Sequence, residues 1–397
     1  MRNNKKLILA LVFLASVCSF VPAQNKVIPF VSVDYRGTTY YAYCSCRAVI
    51  NGVETLLAID TGADYTLVTF PVEPSENFRQ LKSHRLYGSL YDFDLYEPKS
   101  FIINGEDFSK GVHVAEFPDN VKSKWNKDGE GGILGFDVLT ESGSVFKISP
   151  TNGNIEFAED FDTDGYESCD MYVVDNKCIV KVYVDGQEIW AIIDTGYMEG
   201  TFALPVLESK KIKRLQEFVR CDGYEKLETV YLMKNVRVFD RYVEETFGYV
   251  ETPFANAGGD QFAVIGKEFL RNYELIFNLK ESKLYYKRNS DFKFHEIDVS
   301  RMSTGILETY FTPYTGKYIV TRVLKGSEAD KKSIRPNQEI YSENGLLASY
   351  VYEQLLDGNY EPLKQLESEG KSAKKLKLVI KEGENLKEIT LKKRKIF

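Results

Sequence analysis

Histidine is nearly absent from this chain. Only His84, His113 and His295 occur, far apart and with no Cys-x-x-Cys pair, so the usual zinc donor sets have almost nothing to be made from, and neither a metal nor a cofactor is expected. Net positive charge is also missing: 51 Lys and Arg against 58 Asp and Glu give −7 at pH 7. A general nucleic-acid binder needs clustered positive charge to neutralise phosphates, so that class is excluded. There is no Gly-x-Ser-x-Gly, hence no serine nucleophile elbow, and Gly370-Lys371-Ser372 has Gln365 where a phosphate loop requires its first glycine. Beyond the N-terminus no apolar run approaches the ~20 residues of a spanning helix, so no membrane span is expected after the leader is removed. What remains, 43% apolar and 27% charged residues over 397 positions, describes a folded chain long enough for two or three domains.

The N-terminus explains the one long apolar run. Arg2, Lys5 and Lys6 precede Leu7 to Phe20, and Val21-Pro22-Ala23 supplies small residues for cleavage, so residues 1–23 read as a signal peptide. An exported protein is expected, periplasmic or secreted, and three positive charges poorer than the precursor. Five cysteines survive processing, Cys44, Cys46, Cys169, Cys178 and Cys221, an odd number that leaves at least one thiol free or intermolecular.

The chain then says nearly the same thing twice. Cys44 leads to Asn51-Gly52 and on to Asp60-Thr61-Gly62; Cys178 leads to Asp185-Gly186 and on to Asp194-Thr195-Gly196. Each turn glycine lies 8 residues before its aspartate and each cysteine 16 before it. Asn-Gly and Asp-Gly between apolar runs signal tight hairpins, because a two-residue turn demands positive φ at both central positions. Both second strands therefore run straight into Asp-Thr-Gly. Downstream, Ile133-Leu134-Gly135 and Val264-Ile265-Gly266 match, and Phe146 and Phe277 each follow 11 residues after that glycine. The organisation predicted is a mainly β protein: lobe 1 over 24–158, an acidic linker over 159–170, lobe 2 over 171–298 and a separate module over 299–397. Charge separates the last piece, since the lobes carry −15 and the module +5. The linker's Asp160, Asp162 and Asp164 imitate a calcium loop, but Met171 stands where its bidentate Glu must be.

Two copies of Asp-Thr-Gly in matching contexts imply a paired site. A pseudo-twofold association would bring Asp60 and Asp194 face to face, where both cannot ionise cheaply, so they share a proton. One carboxylate then serves as general base on a water while its protonated partner donates to an amide carbonyl. Thr61 and Thr195 are placed to fix the loops, and Gly62 and Gly196 to let backbone approach the carboxyls.

This pattern, a strand running into Asp-Thr-Gly followed far downstream by two apolar residues and a glycine before a helix, resembles the retropepsin-like aspartic peptidases, with both half-sites in one chain as in the pepsin-like enzymes. The resemblance implies Asp60 and Asp194 as catalytic pair, supporting loops Thr61-Gly62-Ala63 and Thr195-Gly196-Tyr197, peptide or unfolded protein as substrate, and a working monomer. Lobe 1 follows the family with Ala63 after the triplet; lobe 2 departs from it with Tyr197, whose ring would narrow the cleft or block the water. The flap is placed at Tyr87-Gly88. An inactive, peptide-binding scaffold of the same fold is the alternative.

The C-terminal module carries Gly326-Ser327-Glu328-Ala329, Ile334 to Ile340 and Asn344-Gly345, and resembles a bacterial PDZ module, a small α/β fold. Ser333 and Asn337 replace glycines of that pattern. Such modules hold a peptide C-terminus by strand addition, and Gly305-Ile306 is the expected loop for it.

Overall fold

The computed structural model describes residues 26–35, 38–42, 44–73, 78–86, 89–125, 131–184, 186–197, 202–203, 213–221, 224–249, 254–255, 261–289, 304–311, 316–357, 359, 361–372 and 374–394. The signal-like segment and the Tyr87-Gly88 flap position lie outside them. The protein is mainly β, and no helix among the described residues is long and apolar enough to cross a membrane.

The two halves of the repeat fold alike. In the first, Ser45–Ile50 and Val53–Ile59 form the expected hairpin, and its turn has φ 49° at Asn51 and 85° at Gly52. Gly132–Leu134 then inserts parallel to the second strand, pairing Leu134 with Ile59. In the second half Lys177–Val184 and Gln187–Ile193 make the hairpin, and Gln261–Ile265 inserts in parallel, pairing Ile265 with Ile193. Each inserted strand ends in a glycine that opens a short helix, Phe136–Ser142 or Lys267–Leu270. The apolar alternation that predicted the hairpins is the buried face of these strands, with Ile50, Leu57 and Ile59, or Val180, Val182 and Ile193, all inside.

A shared antiparallel sheet joins the halves. Its strands run in the order Val27–Pro29, Asn154–Phe157, Val145–Ser149, Tyr273–Asn278, Lys283–Arg288, Glu167–Val174. At its centre Phe146 pairs with Phe277, and their rings stack 4.7 Å apart. Both are fully buried in an apolar cluster that draws on both halves. The acidic stretch predicted as linker is only partly a connection: Glu167–Asp170 forms an edge strand against Lys283–Tyr286. The reason is local, since Lys283 pairs with Asp170 and the Tyr286 hydroxyl reaches Glu167, so the acidic side chains find partners along one edge.

The C-terminal module has its own core, including Val320, Val323, Ala329, Ile334, Val351 and Ile380. Its strands are Ile306–Phe311, Tyr318–Leu324, Glu339–Glu343, Lys375–Glu382 and Asn385–Lys392, with helices Ala348–Leu356 and Glu361–Ser372. It is joined to the second half by more than the chain: Lys213–Cys221 adds to the Tyr318–Leu324 strand, pairing Phe218 with Val323. Ser333 and Asn337, the two residues that replace glycines, sit at φ 60° and 71°. Ser333 ends the short helix Glu328–Lys331: its N–H bonds to the Asp330 carbonyl, and the next N–H, of Ile334, to the Ala329 carbonyl. That is a Schellman end, where glycine is preferred because a Cβ in the left-handed region is strained. Ser333→Gly should therefore stabilise the module by about 0.5–1 kcal/mol. Hydrogen exchange at the Val320 amide, which bonds to Gln338, would slow about two- to fivefold; equal or faster exchange would refute the strain.

Candidate functional site

Each Asp-Thr-Gly loop is pinned to its own inserted strand and then to the other half. The Asp60 N–H bonds to the Leu134 carbonyl and the Asp194 N–H to the Ile265 carbonyl, each at 3.0 Å. The Ala63 carbonyl accepts from Phe136 N–H at 2.9 Å and the Tyr197 carbonyl from Lys267 N–H at 3.1 Å. The paired apolar-apolar-Gly segments thus act as the rails on which the loops lie.

Across the boundary the threonines exchange hydrogen bonds symmetrically. The Thr61 N–H donates to Thr195 Oγ1 and the Thr195 N–H to Thr61 Oγ1, both at 3.1 Å. The Thr61 hydroxyl donates to the Ile193 carbonyl and the Thr195 hydroxyl to the Ile59 carbonyl, both at 2.6 Å. Both threonines are buried, and the N–H and hydroxyl of each are satisfied by the opposite half.

This exchange delivers the two carboxyls to one point, where Asp60 and Asp194 hydrogen-bond side chain to side chain. Gly62 N–H donates to Asp60 Oδ1 at 2.9 Å; Gly196 and Tyr197 N–H groups donate to Asp194 Oδ1 at 2.9 and 2.8 Å. A Cβ on Gly62 would fall inside the Asp194 carboxyl, and one on Gly196 inside that of Asp60. Glycine is thus required at both positions for close approach, independent of backbone conformation.

Burial raises both carboxyls above the usual range. For Asp60 the Asp194 hydrogen bond, the Gly62 and Ala63 N–H groups and the Lys177 charge pull back toward the ionised form. For Asp194 the charge of Asp60 and its hydrogen bond push further up, against the Tyr197 and Gly196 N–H groups, so it stands well above. The two carboxyls titrate as one coupled pair, with the rise larger at Asp194.

Of the residues expected at the site, Asp60, Thr61, Gly62, Ala63, Asp194, Thr195, Gly196 and Tyr197 are brought together. Tyr197 is buried and contributes backbone groups to the loop. Gly305 and Ile306 do not join them; they belong to the C-terminal module, where the Gly305 carbonyl accepts from Leu324 N–H at 2.8 Å. Two further residues belong to the site that sequence reasoning missed, Asp64 and Lys177, which form an ion pair between the halves. The signal available was Asp64 directly after Ala63, but nothing in the sequence marks its partner. Cys46, Cys169 and Cys178 carry free thiols. Burial raises all three, Cys169 to about 12, so none is a nucleophile.

No protein-family model matches this sequence, and no curated protein matches it significantly.

The shifted carboxyl has a consequence for stability. A group whose folded-state affinity for protons is raised contributes most when protonated, and its contribution is lost as pH climbs from the ordinary value of 3.8 through the raised one. In Asp194→Asn the amide oxygen still accepts from Gly196 and Tyr197 and the NH2 donates to Asp60, with no proton to lose. The melting temperature of Asp194→Asn relative to wild type should therefore rise as pH climbs above about 4. A difference that stays flat or falls there would contradict the assignment.

Proposed function

We propose that this protein is an exported aspartic endopeptidase, with Asp60 and Asp194 as its catalytic pair. The observation that carries the reading is the meeting of the two carboxyls across the boundary, Asp194 buried and Asp60 partly buried, held by the reciprocal threonine exchange. In the reaction, Asp60 takes a proton from water as the oxygen attacks the scissile carbonyl carbon, and Asp194 gives its proton to the carbonyl oxygen. The resulting gem-diol collapses as the C–N bond breaks: Asp60 passes the proton it took from water to the leaving nitrogen, and Asp194 takes one back from a gem-diol hydroxyl, which restores the pair and leaves a carboxylic acid and an amine. The N–H groups fixed on each carboxyl keep the pair in place without reorganisation, which is where the rate enhancement originates.

The scaffold alternative required carboxyls held apart or a Tyr197 ring between them. Direct contact of the carboxyls, with Tyr197 buried and its N–H turned to Asp194, favours the active reading. The PDZ-like module is proposed to hold a peptide C-terminus by strand addition, with Gly305-Ile306 at the start of the strand Ile306–Phe311, which pairs with Tyr318–Leu324.

The test is digestion of an unfolded protein by the mature chain from acid to neutral pH. Asp60→Asn and Asp194→Asn should each lower kcat/KM about 10³-fold or more while the far-UV spectrum is unchanged. Undiminished cleavage in either variant, or none by wild type at any pH, would overturn the proposal.

A further inference from the structure

The repeat builds a site that is symmetric in its backbone, yet the chemistry requires one carboxyl to be base and the other acid. The Asp64–Lys177 ion pair is where the surroundings become unequal. Lys177 follows a two-residue turn in which Asp175 and Asn176 have φ 46° and 57°, and its strand partner is Val174. That turn presents the Lys177 ammonium to the other half, where it meets Asp64 and also donates to the Asp175 carbonyl at 3.2 Å. The two side chains are only 15% and 13% exposed, so the pair is poorly screened by solvent. The repeat relates residues 134 positions apart, as Thr61 and Thr195 are. By that offset Lys177 corresponds to Tyr43 and Asp64 to Met198, neither of them charged. The ion pair has no symmetry mate.

Resting on the peptidase reading for its catalytic meaning, we infer that Lys177, held in place by Asp64, is a positioning residue that selects Asp60 as the ionised base and leaves the shared proton on Asp194. Asp60 feels Asp194 and Lys177; Asp194 feels Asp60. Behind Asp64 lies Asp137, buried at the start of the helix Phe136–Ser142, its carboxylate accepting from the His113 and Val138 N–H groups at 2.9 Å each, with Glu141 nearby. Asp137 is raised to about 7 by burial, against those two N–H groups and with the charges of Asp64 and Glu141 adding to the rise. Asp137 and Glu141 are anionic or neutral; beside Asp64, Tyr65 accepts from the Arg79 guanidinium at 3.4 Å and meets the His113 ring edge-on at 6.0 Å, and of these basic groups Lys177 is the one whose charge acts on Asp60.

The experiment is a carbon-13 carboxyl titration of the full mature chain, assigned through the Asp60→Asn and Asp194→Asn variants. In wild type the first ionisation should belong to Asp60. Lys177→Met should move it upward by about half a pH unit or more, Lys177→Arg should leave it in place, and Asp64→Asn, which frees the ammonium of its neutralising partner, should move it downward. Opposite signs from the two partners of one ion pair are not produced by loss of packing. Should Lys177→Met fail to fold, Asp64→Asn carries the test alone. A first ionisation at Asp194, or no movement in Asp64→Asn or in a folded Lys177→Met, would overturn the inference. The titration reads the pair whether or not the chain cleaves peptides: a protein that shows these shifts and cuts nothing would refute the peptidase reading and keep this one. In an active protein the acid limb of kcat/KM should shift in the same directions.

Discussion

Two carboxyl groups lie side by side in this protein, Asp194 buried and Asp60 partly buried, and such a pair resists losing both protons. Each isolated charge removed from water costs several kcal/mol, and a second like charge in contact adds to it. The site therefore exists only in a narrow geometry, close enough for one hydrogen bond between the carboxyls and supplied with N–H groups on their outer oxygens. The remainder of the two-lobed body serves to hold that geometry. Gly62 and Gly196 are small enough to let each loop touch the opposite carboxyl, and the threonines return every hydrogen bond they receive.

A site divided between two halves is only as accurate as their registration. Here registration is set twice, at two depths. Near the carboxyls, Thr61 and Thr195 bind the carbonyls of Ile193 and Ile59, the residues immediately preceding the opposite aspartates. Beneath them, the continuous antiparallel sheet fixes Phe146 against Phe277 with stacked rings. A slip of one residue in that sheet would turn every buried side chain outward, so the sheet permits one register and the threonines refine it. Because strands of both halves join in this one sheet, with Val145–Ser149 against Tyr273–Asn278 at its centre, the halves cannot fold to their final form independently of each other.

Much of this was legible. Asn51-Gly52 and Asp185-Gly186 marked the hairpins because two-residue turns have few chemical solutions, and the doubled Asp-Thr-Gly marked the site because matched copies rarely arise by chance. The helix after Gly135 and Gly266 was implied by the resemblance to the retropepsin-like pattern. What could not be read were contacts whose logic is three-dimensional and unrepeated. Lys177 lies 113 positions from Asp64, in a turn with no motif around it, and the repeat hides the pair since neither residue has a charged counterpart. The strand at Glu167–Asp170 was missed because acidic composition signals solvent exposure, and an edge strand satisfies that signal as well as a loop does. Ser333 and Asn337 looked like losses of glycine, yet the backbone kept the left-handed conformation and accepted the strain.

A duplicated half-site carries a built-in difficulty. Symmetry places two aspartates correctly, but a symmetric environment leaves the proton with no preferred residence, and a base and an acid must differ. The backbone cannot supply the difference, because its hydrogen bonds are what keep the loops aligned and they are nearly identical on both sides. The difference has to come from side chains just outside the loops, where a charge acts through space without disturbing the registration. Position 64 immediately follows one conserved-geometry loop and position 177 faces it from the opposite half, so a single ion pair there changes the electrostatics of one carboxyl and leaves the threonine exchange intact. Tyr197 follows the same logic: it differs from Ala63 in its side chain while its carbonyl makes the same bond to the following helix. Asymmetry at this site is confined to groups whose substitution leaves the frame standing.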